Sequence, residues 1–186
     1  MISWIQGPVP GFEVNLVFAR GISLDALNKG LHHVQRTPLT GGESGAWAWA
    51  VHEMFELDPE GYENTDYEEV DYSSICPDGA EIVVFVLEPC SAKGFPPAFE
   101  YHRSGRLVLR FNFESIGERV GDNPDYLSAE FLAAHLIGPG EECSQQDDDG
   151  HDCFDHHYDD HARIVRAIAG YFALPSPPLT AEVTAK

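Results

Sequence analysis

One uninterrupted run of apolar residues, Ile82 to Leu87, constrains the fold more than any other feature of the sequence. A run of this kind is typical of a strand at the centre of a sheet that is covered on both faces. With six residues, it is far too short to cross a bilayer. The chain must therefore supply further strands beside this one and layers that cover them.

Alternation of residue types predicts two more strands in the first third of the chain. Glu13 to Ala19 alternates apolar with mostly polar residues and predicts the first strand. Ala46 to Glu53 alternates large and small side chains, which places Trp47, Trp49 and Val51 on one face. We interpret the two tryptophans as buried core, and an exposed aromatic platform is the alternative.

The clearest local motif is a hairpin in the second half of the chain. Two alternating runs, Phe99–Arg103 and Arg106–Phe113, are joined by the two-residue turn Ser104-Gly105. Three arginines lie on this hairpin: Arg103, Arg106 and Arg110. We expect them to pair with carboxylates or to lie on a solvated face of the sheet, and an anion site is the alternative.

Three helices are predicted from caps and from apolar residues at helical spacing. Ser23 is a good N-cap for the first helix, whose end is marked by Gly30 and by His32-His33. The second helix opens at Asp122-Asn123-Pro124, with a cap and a proline in the first turn. The last helix runs from about Asp152 to Ala173 and has one apolar face.

The order of these elements, β-α-β-β-β-β-α-α, indicates a single α+β domain with a largely antiparallel sheet of about five strands covered by helices. A length of 186 residues is within the usual size of one domain. We place the domain at 1–174, with acidic insertions at 53–72 and 141–160, and a Pro-rich tail at 175–186. Thr40–Gly45 is predicted to be a loop.

The charge of the chain is concentrated in two segments. The sequence holds 31 Asp and Glu against 11 Lys and Arg, a formal net charge of −20. Segments 53–72 and 141–160 carry nine carboxylates each and no Lys or Arg. Removal of these 18 leaves 13 acids against 11 bases, so the rest of the domain is close to neutral.

This distribution points to a basic partner. Nucleic-acid phosphates and anionic membranes would be repelled, so we expect neither direct nucleic-acid binding nor membrane association. Tyrosines within the first segment (Tyr62, Tyr67 and Tyr72) suggest a contact surface, because tyrosine is enriched in interfaces. Two solvated loops that serve solubility are the alternative. The residues expected to contact the partner are Asp147, Asp148, Asp149, Asp152, Asp155, Tyr62 and Tyr67.

A cluster of His, Cys and Asp residues at 143–161 supports a second hypothesis, a metal-binding protein or metal-dependent enzyme. Cys153, His157 and His161 recur at i, i+4 and i+8, and Cys143 and His151 lie close in sequence. Imidazole and thiolate suit a divalent metal such as Zn, although the spacing matches no standard zinc motif. An acidic helix start, favoured by the helix dipole, explains the same residues without a metal. His161 also fits a core position.

No motif in the sequence names a reaction. The chain has neither a nucleophile elbow nor a Gly-rich phosphate loop after a strand, so we expect a non-enzymatic protein with no cofactor. The amino terminus lacks the features of a signal peptide, and four cysteines are too few for a secreted disulfide scaffold. We therefore expect a cytoplasmic protein with reduced thiols.

Several motifs, in this order, resemble an uncharacterised and mostly actinobacterial family of small α+β domains of unknown function. They are the strand and turn Val14–Gly21 entering the helix Ser23–Leu31, the Trp strand ending in Glu53, Ser104-Gly105 followed by Leu107–Phe113, Gly121–Leu127, and the closing Leu174–Leu179. The sequence departs from the family pattern in its two acidic segments. The resemblance implies a fold and no functional residues.

Small acidic α+β domains of this kind are also similar to bacterial immunity proteins, which cap basic toxin domains. By this analogy, we predict an immunity-like or inhibitor-like protein. Mimicry of nucleic acid by rows of carboxylates is a further alternative.

Overall fold

The structure is a computed structural model that describes residues 14–53, 70–87, 97–138 and 153–177, with the backbone alone for residues 53, 87 and 153–159. Six strands lie in these ranges: β1 (Val14–Arg20), β2 (Pro38–Ser44), β3 (Trp47–Glu53), β4 (Glu81–Leu87), β5 (Ala98–Arg103) and β6 (Arg106–Asn112). The helices are α1 (Leu24–His33), α2 (Ser128–Ala133) and α3 (Cys153–Phe172), with a 3-10 helix at Phe113–Ser115.

The strands form one sheet in the order β2-β3-β1-β4-β5-β6, and every neighbouring pair is antiparallel. The predicted α+β class with an antiparallel sheet is confirmed. β1 is central, because it pairs with β3 on one side and with β4 on the other. The strand predicted from the apolar run is β4. The described side chains of the run, 82–86, are all buried.

The sheet has one strand more than the five predicted, because Pro38–Ser44 is strand β2 and the predicted loop is wrong. This segment carries Gly41 and Gly42 in place of the apolar alternation that marks a strand. The glycines make room for the neighbouring strand. A Cβ atom at Gly42 would lie 2.9 Å from the ring of Trp49, so the indole occupies that space.

Both faces of the sheet are covered by apolar cores. One core holds Trp47, Trp49 and Val51 together with Phe131 of α2 and Phe172 of α3, so the prediction of buried tryptophans is confirmed. The other core packs Leu27 and Leu31 of α1, with Tyr72, Cys76 and Ala80, against the opposite face. The second face is thus covered by α1 and by residues 70–80, which we name the strap.

The β5–β6 turn forms as its sequence predicts. Ser104 and Gly105 both have positive φ (50° and 74°), the conformation of a type I′ hairpin turn. A register shift between Tyr101 and His102 interrupts the pairing of the two strands. Residues 120–123 lie along the outer edge of β6, where Arg110 and Val120 exchange backbone hydrogen bonds and Asn123 N donates to Val108 O.

The three helices end at non-glycine residues in the left-handed region: Gln35, His135 and Ala173 have φ values of 59°, 53° and 50°. Backbone bonds around each, such as His135 N to Leu132 O and Leu136 N to Phe131 O, complete a Schellman motif. Gly30 therefore lies inside α1 and does not end it. A Cβ at Gly30 would lie 3.0 Å from Ile75 Cβ, so the glycine allows the strap to pack closely.

The second helix is shorter than predicted, because regular helix begins only at Ser128. The guanidinium of Arg119 donates to the carbonyl oxygens of Ile116 and Pro124, so Pro124 O is engaged outside the helix. Among the helices of the described ranges, none combines the length and the apolar character needed to span a membrane.

Candidate functional site

Both acidic segments are attached to the same end of the sheet. We name this end of the sheet the acidic end. The pairing register places five residues there: Val14, Glu53, Leu87, Ala98 and Asn112. Segment 53–72 leaves the sheet here, at the last residue of β3. Segment 141–160 leads into α3, which reaches the same end: the ring of His161 packs on Phe113, the residue after β6, with centroids 5.4 Å apart.

Most of the sequence-predicted site residues lie outside the described ranges: Tyr62, Tyr67, Cys143, Asp147, Asp148, Asp149, His151 and Asp152. Cys153, Asp155 and His157 lie on α3, where only the backbone is described. The helix is continuous from Cys153, so Cys153, His157 and His161 occupy successive turns of one helix. Among the side chains that the structure describes, no group of His, Cys, Asp or Glu is arranged to hold a metal ion.

Tyr72 is not part of an exposed contact surface, contrary to our interpretation of the tyrosines in the first acidic segment. Its side chain is buried against the sheet. Its hydroxyl accepts a hydrogen bond from Asn15 Nδ2 at 2.7 Å and lies 2.9 Å from His52 Nε2. One buried tyrosine thus joins the strap to β1 and β3.

The next residue of the strap contacts a second polar group on the same face of the sheet. Ser73 Oγ lies 2.9 Å from His102 Nδ1, and His102 Nε2 lies 2.9 Å from Glu100 Oε2. Arg110 on β6 completes the set, with its Nε 3.6 Å from Glu100 Oε1. His102 and Glu100 are buried, whereas Ser73 is half-buried. A hydroxyl, an imidazole and a carboxylate therefore lie in hydrogen-bonded sequence from the protein surface inward.

These distances are compatible with a neutral imidazole whose two nitrogens have different roles. An ionised Glu100 accepts the proton of His102 Nε2, which leaves Nδ1 as the acceptor of the Ser73 hydroxyl proton. This is the hydrogen-bonding order of a nucleophile, a base and a carboxylate that orients the base. Sequence reasoning missed this site. The available signal was the i, i+2 spacing of Glu100 and His102 on a predicted strand, which places both on one face.

A third polar cluster surrounds Glu81, at the opposite end of the sheet from the acidic end. Glu81 forms ion pairs with Arg20 and Arg103 and accepts a hydrogen bond from the Tyr101 hydroxyl at 3.0 Å. Burial raises the pKa of Tyr101 above its usual range. The Tyr171 hydroxyl is bonded to Tyr126, and this bond is the main reason that the pKa of Tyr171 rises to about 12.

The basic residues of the described part are mostly neutralised within the domain. Nine of the eleven Lys and Arg lie there, and seven of them form ion pairs with carboxylates. The pairs are Arg20–Glu81, Lys29–Asp25, Arg103–Glu81, Arg106–Asp122, Arg110–Glu100, Arg119–Asp125 and Arg163–Asp160. Only Asp160 belongs to an acidic segment. The expected charge pairing of the three hairpin arginines is confirmed.

Cys76 of the strap is a free, buried thiol whose Sγ lies 3.5 Å from Ala80 O. Loss of solvation raises the pKa of this thiol, so the reactive thiolate is disfavoured. We assign it a packing role in the second core. The other cysteine side chains lie outside the described set.

The family resemblance stated from the sequence depends on strand, turn and cap motifs. The strand Val14–Arg20 and the turn Ser104-Gly105 are present in the structure, whereas Gly121–Leu127 does not begin a helix, since α2 starts at Ser128. They describe a fold and carry no chemistry. The chain matches no protein-family model, no curated protein and no solved structure, so its family membership stays a prediction.

Proposed function

We propose that this protein acts in the cytoplasm by binding a basic protein surface through its two acidic segments, in the manner of an immunity protein or an inhibitor. The observation that carries the proposal is the attachment of both segments to one end of the sheet. Segments that are far apart in sequence are thereby connected to the same end of the domain.

The charge pairing of the domain supports this proposal. Seven basic residues are already paired, and six of them pair with carboxylates outside the acidic segments. Two of these six, Arg20 and Arg103, share Glu81. Six bases are therefore held by carboxylates of the nearly neutral remainder of the domain. Like charges at this density repel one another over a Debye length of about 8 Å, and a basic partner would relieve that repulsion.

The test is capture of partners from an extract of the source cells on the immobilised full chain, at about 0.05 M and about 0.5 M salt, because screening weakens charge-driven association. We expect a basic protein to bind at the lower concentration and to be released at the higher one. Beads that carry polyglutamate are the control for non-specific charge. The proposal fails if no basic protein binds, or if polyglutamate captures the same proteins equally well.

The same experiment separates an immunity-like protein from a nucleic-acid mimic. Addition of duplex DNA displaces a captured protein whose basic surface normally holds nucleic acid, because both ligands would occupy that surface. A toxin or enzyme captured through another basic surface is not displaced. Identification of the eluted protein by mass spectrometry then gives the class of partner.

A metal-binding role is the second candidate, favoured by the continuous helix that carries Cys153, His157 and His161 at successive turns. The packing of His161 on Phe113 favours a core role for that residue instead. Elemental analysis of untagged protein tests the metal directly. We expect a bound divalent metal to raise the melting temperature, because a ligand of the native state stabilises it. Absence of both metal and stabilisation removes this candidate.

A further inference from the structure

We propose that Ser73 is a nucleophile activated by His102, and that the strap carries a site for ester-type substrates, meaning carboxylic or phosphoric esters. This activity goes beyond partner binding, and of the acidic segments it involves only Asp71 and Tyr72, at the end of segment 53–72. It is carried by the sequence of hydrogen-bonded groups Ser73, His102 and Glu100, with 2.9 Å between each neighbouring pair of atoms.

The backbone on both sides of Ser73 is held in a fixed turn. Asp71 Oδ1 accepts hydrogen bonds from the backbone N–H groups of Ser73 and Ser74, at 3.1 and 3.3 Å. Cys76 N donates to Ser73 O at 3.2 Å, and the residue before Ser73, Tyr72, is anchored in the core. The nucleophile therefore lies on an ordered element, as a reacting group must to keep its geometry.

The base and the group that orients it lie beneath the nucleophile. The side chains of His102 and Glu100 are only 5% and 7% exposed, so water competes little for their hydrogen bond. Arg110 holds the second oxygen of Glu100. We describe Glu100 as a positioning residue, because it acts on the reaction through the imidazole. Oriented charges in a shielded site stabilise an imidazolium more strongly than water-exposed charges would.

The site is distinct from the acidic end. His102 is paired with Ile82 and Leu107, close to the Ser104-Gly105 turn and therefore at the opposite end of the sheet. A Cβ at Gly105 would lie 3.8 Å from Ser73 O, which places the hairpin turn directly beside the strap. Ser73 is half-buried in this position, so the residue is not closed off from solvent.

The reaction follows from the positions of the protons. Ser73 Oγ attacks the carbonyl carbon or phosphorus of the ester, and its proton passes to His102 Nδ1. The new bond joins Oγ to the carbon or phosphorus of the ester. The bond from that carbon or phosphorus to the leaving alkoxide breaks as the alkoxide takes the proton from His102. Water then repeats the sequence on the acylated or phosphorylated serine, which releases the acid and restores the hydroxyl. No oxidant or further reactant is required.

The test is covalent labelling of the full chain with a fluorophosphonate, which reacts with activated serines: the P–O bond to Ser73 forms, fluoride leaves, and His102 keeps the proton. We expect one adduct per chain by intact mass, assigned to Ser73 by peptide mapping. S73A abolishes it. The matched control is S44A, which removes the hydroxyl of an exposed serine on the edge strand β2 and leaves labelling unchanged.

Variants of the other two groups test activation. We expect H102N to slow labelling about 100-fold and E100Q at least about 10-fold, because these are the usual contributions of a general base and of its orienting partner. Circular dichroism confirms that each variant is folded. If H102N does not fold, E100Q decides, since it keeps the shape of the side chain. E100Q should also remove the downfield proton resonance of His102 Nε2–H. If Ser73 had only a structural role, loss of this resonance would not be accompanied by slower labelling.

Two results overturn the proposal. One is the absence of a Ser73 adduct after prolonged exposure of the folded chain to excess reagent. The other is a Ser73 adduct that forms at the parental rate in folded H102N or E100Q. Either result leaves the partner-binding proposal intact, because labelling is measured on the isolated chain and the acidic segments are unchanged.

Discussion

At the residue scale, Tyr72 joins the strap to the sheet through a single hydroxyl. Asn15 on β1 donates to this oxygen, and His52 on β3 lies within hydrogen-bond distance of it. All three side chains are buried. A buried polar group that loses its partner bears the full cost of desolvation, so the hydroxyl is worth more to stability than its own hydrogen bonds suggest.

We therefore predict that Y72F lowers the free energy of unfolding by about 1 to 3 kcal/mol, because Asn15 Nδ2 loses its acceptor. Urea denaturation of the parent and the variant measures the difference. Y171F is the matched comparison, and we expect it to lose less stability, since Tyr171 is 43% exposed and water replaces part of what its bond to Tyr126 contributes. Equal stabilities of Y72F and Y171F would mean that the buried hydroxyl contributes no more to stability than the exposed one.

A second residue-scale prediction concerns alkaline pH. The pKa of Tyr171 rises from 10.0 to about 12, chiefly through its bond to Tyr126. Between these values the unfolded chain loses the proton while the folded chain keeps it, so the contribution of Tyr171 to stability falls as pH rises. Below pH 10 this contribution is fully present.

Absorbance titration of tyrosinate tests this prediction. The difference between the parent and Y171F should show one tyrosine that titrates near pH 12. In Y126F that tyrosine should titrate closer to 10.0, because the hydrogen bond that stabilises the protonated form is gone. A Tyr171 that titrates near 10.0 in the folded parent would contradict the structure.

At the element scale, residues 120–123 cover the outer edge of β6, and Gly121 allows them to do so. A Cβ at Gly121 would lie 2.5 Å from Val108 O, and its φ of 121° is unfavourable for other residues. We predict that G121A costs about 2 kcal/mol or more of stability, by steric overlap and by backbone strain.

G117A is the control, because a Cβ at Gly117 meets no atom within 4 Å and its φ is not in the left-handed region. Thermal unfolding followed by circular dichroism measures both variants. We expect the melting temperature of G121A to fall by several degrees, as a loss of this size requires in a chain of this length, and that of G117A to stay close to the parent. A shift in G117A as large as that in G121A would show that the close approach to Val108 has no effect.

The elements that could be predicted from the sequence are those whose residues repeat with a clear period. β1, β3, β4 and the β5–β6 hairpin follow from alternation or from a continuous apolar run, and α3 follows from its apolar face. β2 could not be predicted in this way, because Gly42 makes room for the ring of Trp49 on the neighbouring strand and Gly41 for the backbone of Trp49 and the side chain of Leu24. The late start of α2 is accompanied by the contact of Arg119 with Pro124 O, which the sequence motif at 122–124 does not indicate.

The same reasoning explains what could be predicted about the sites. The acidic segments are visible in composition alone, but their common end of the sheet depends on strand register. The contact of Ser73 with His102 joins residues 29 positions apart, and it forms only because the strap packs across the sheet. A sequence motif for a nucleophile is short and local, whereas this arrangement arises from tertiary packing.

At the scale of the whole molecule, the two acidic segments should contribute unequally to partner binding. Segment 141–160 ends on α3, whose regular helix begins at Cys153, so its last carboxylates are on an ordered element. Charges that are already ordered lose less conformational entropy on binding. We predict that replacement of Asp147, Asp148, Asp149, Asp152 and Asp155 by Asn and Ser weakens the complex more than the same replacement of Glu60, Glu63, Asp66, Glu68 and Glu69.

Titration calorimetry with the captured partner measures both variants against the parent. Each variant should remain folded with unchanged or slightly higher stability at low salt, because removal of repelling charges does not destabilise the domain. Equal affinities of the parent and both variants would mean that the acidity serves solubility alone. A larger loss in the 60–69 variant would reverse the assignment of the main contact segment.

The central position of β1 has a consequence for how the chain reaches its native state during synthesis. β1 is the first described strand to leave the ribosome, yet its partners run as far as Leu87, which pairs with Val14. One edge of β1 can pair once β3 has been translated, but the other edge stays unpaired until β4 follows, because neither neighbour is a local hairpin partner. Such distant pairings close slowly and raise the contact order of the fold. The nascent chain is therefore most exposed to aggregation in the interval between the emergence of β1 and that of β4.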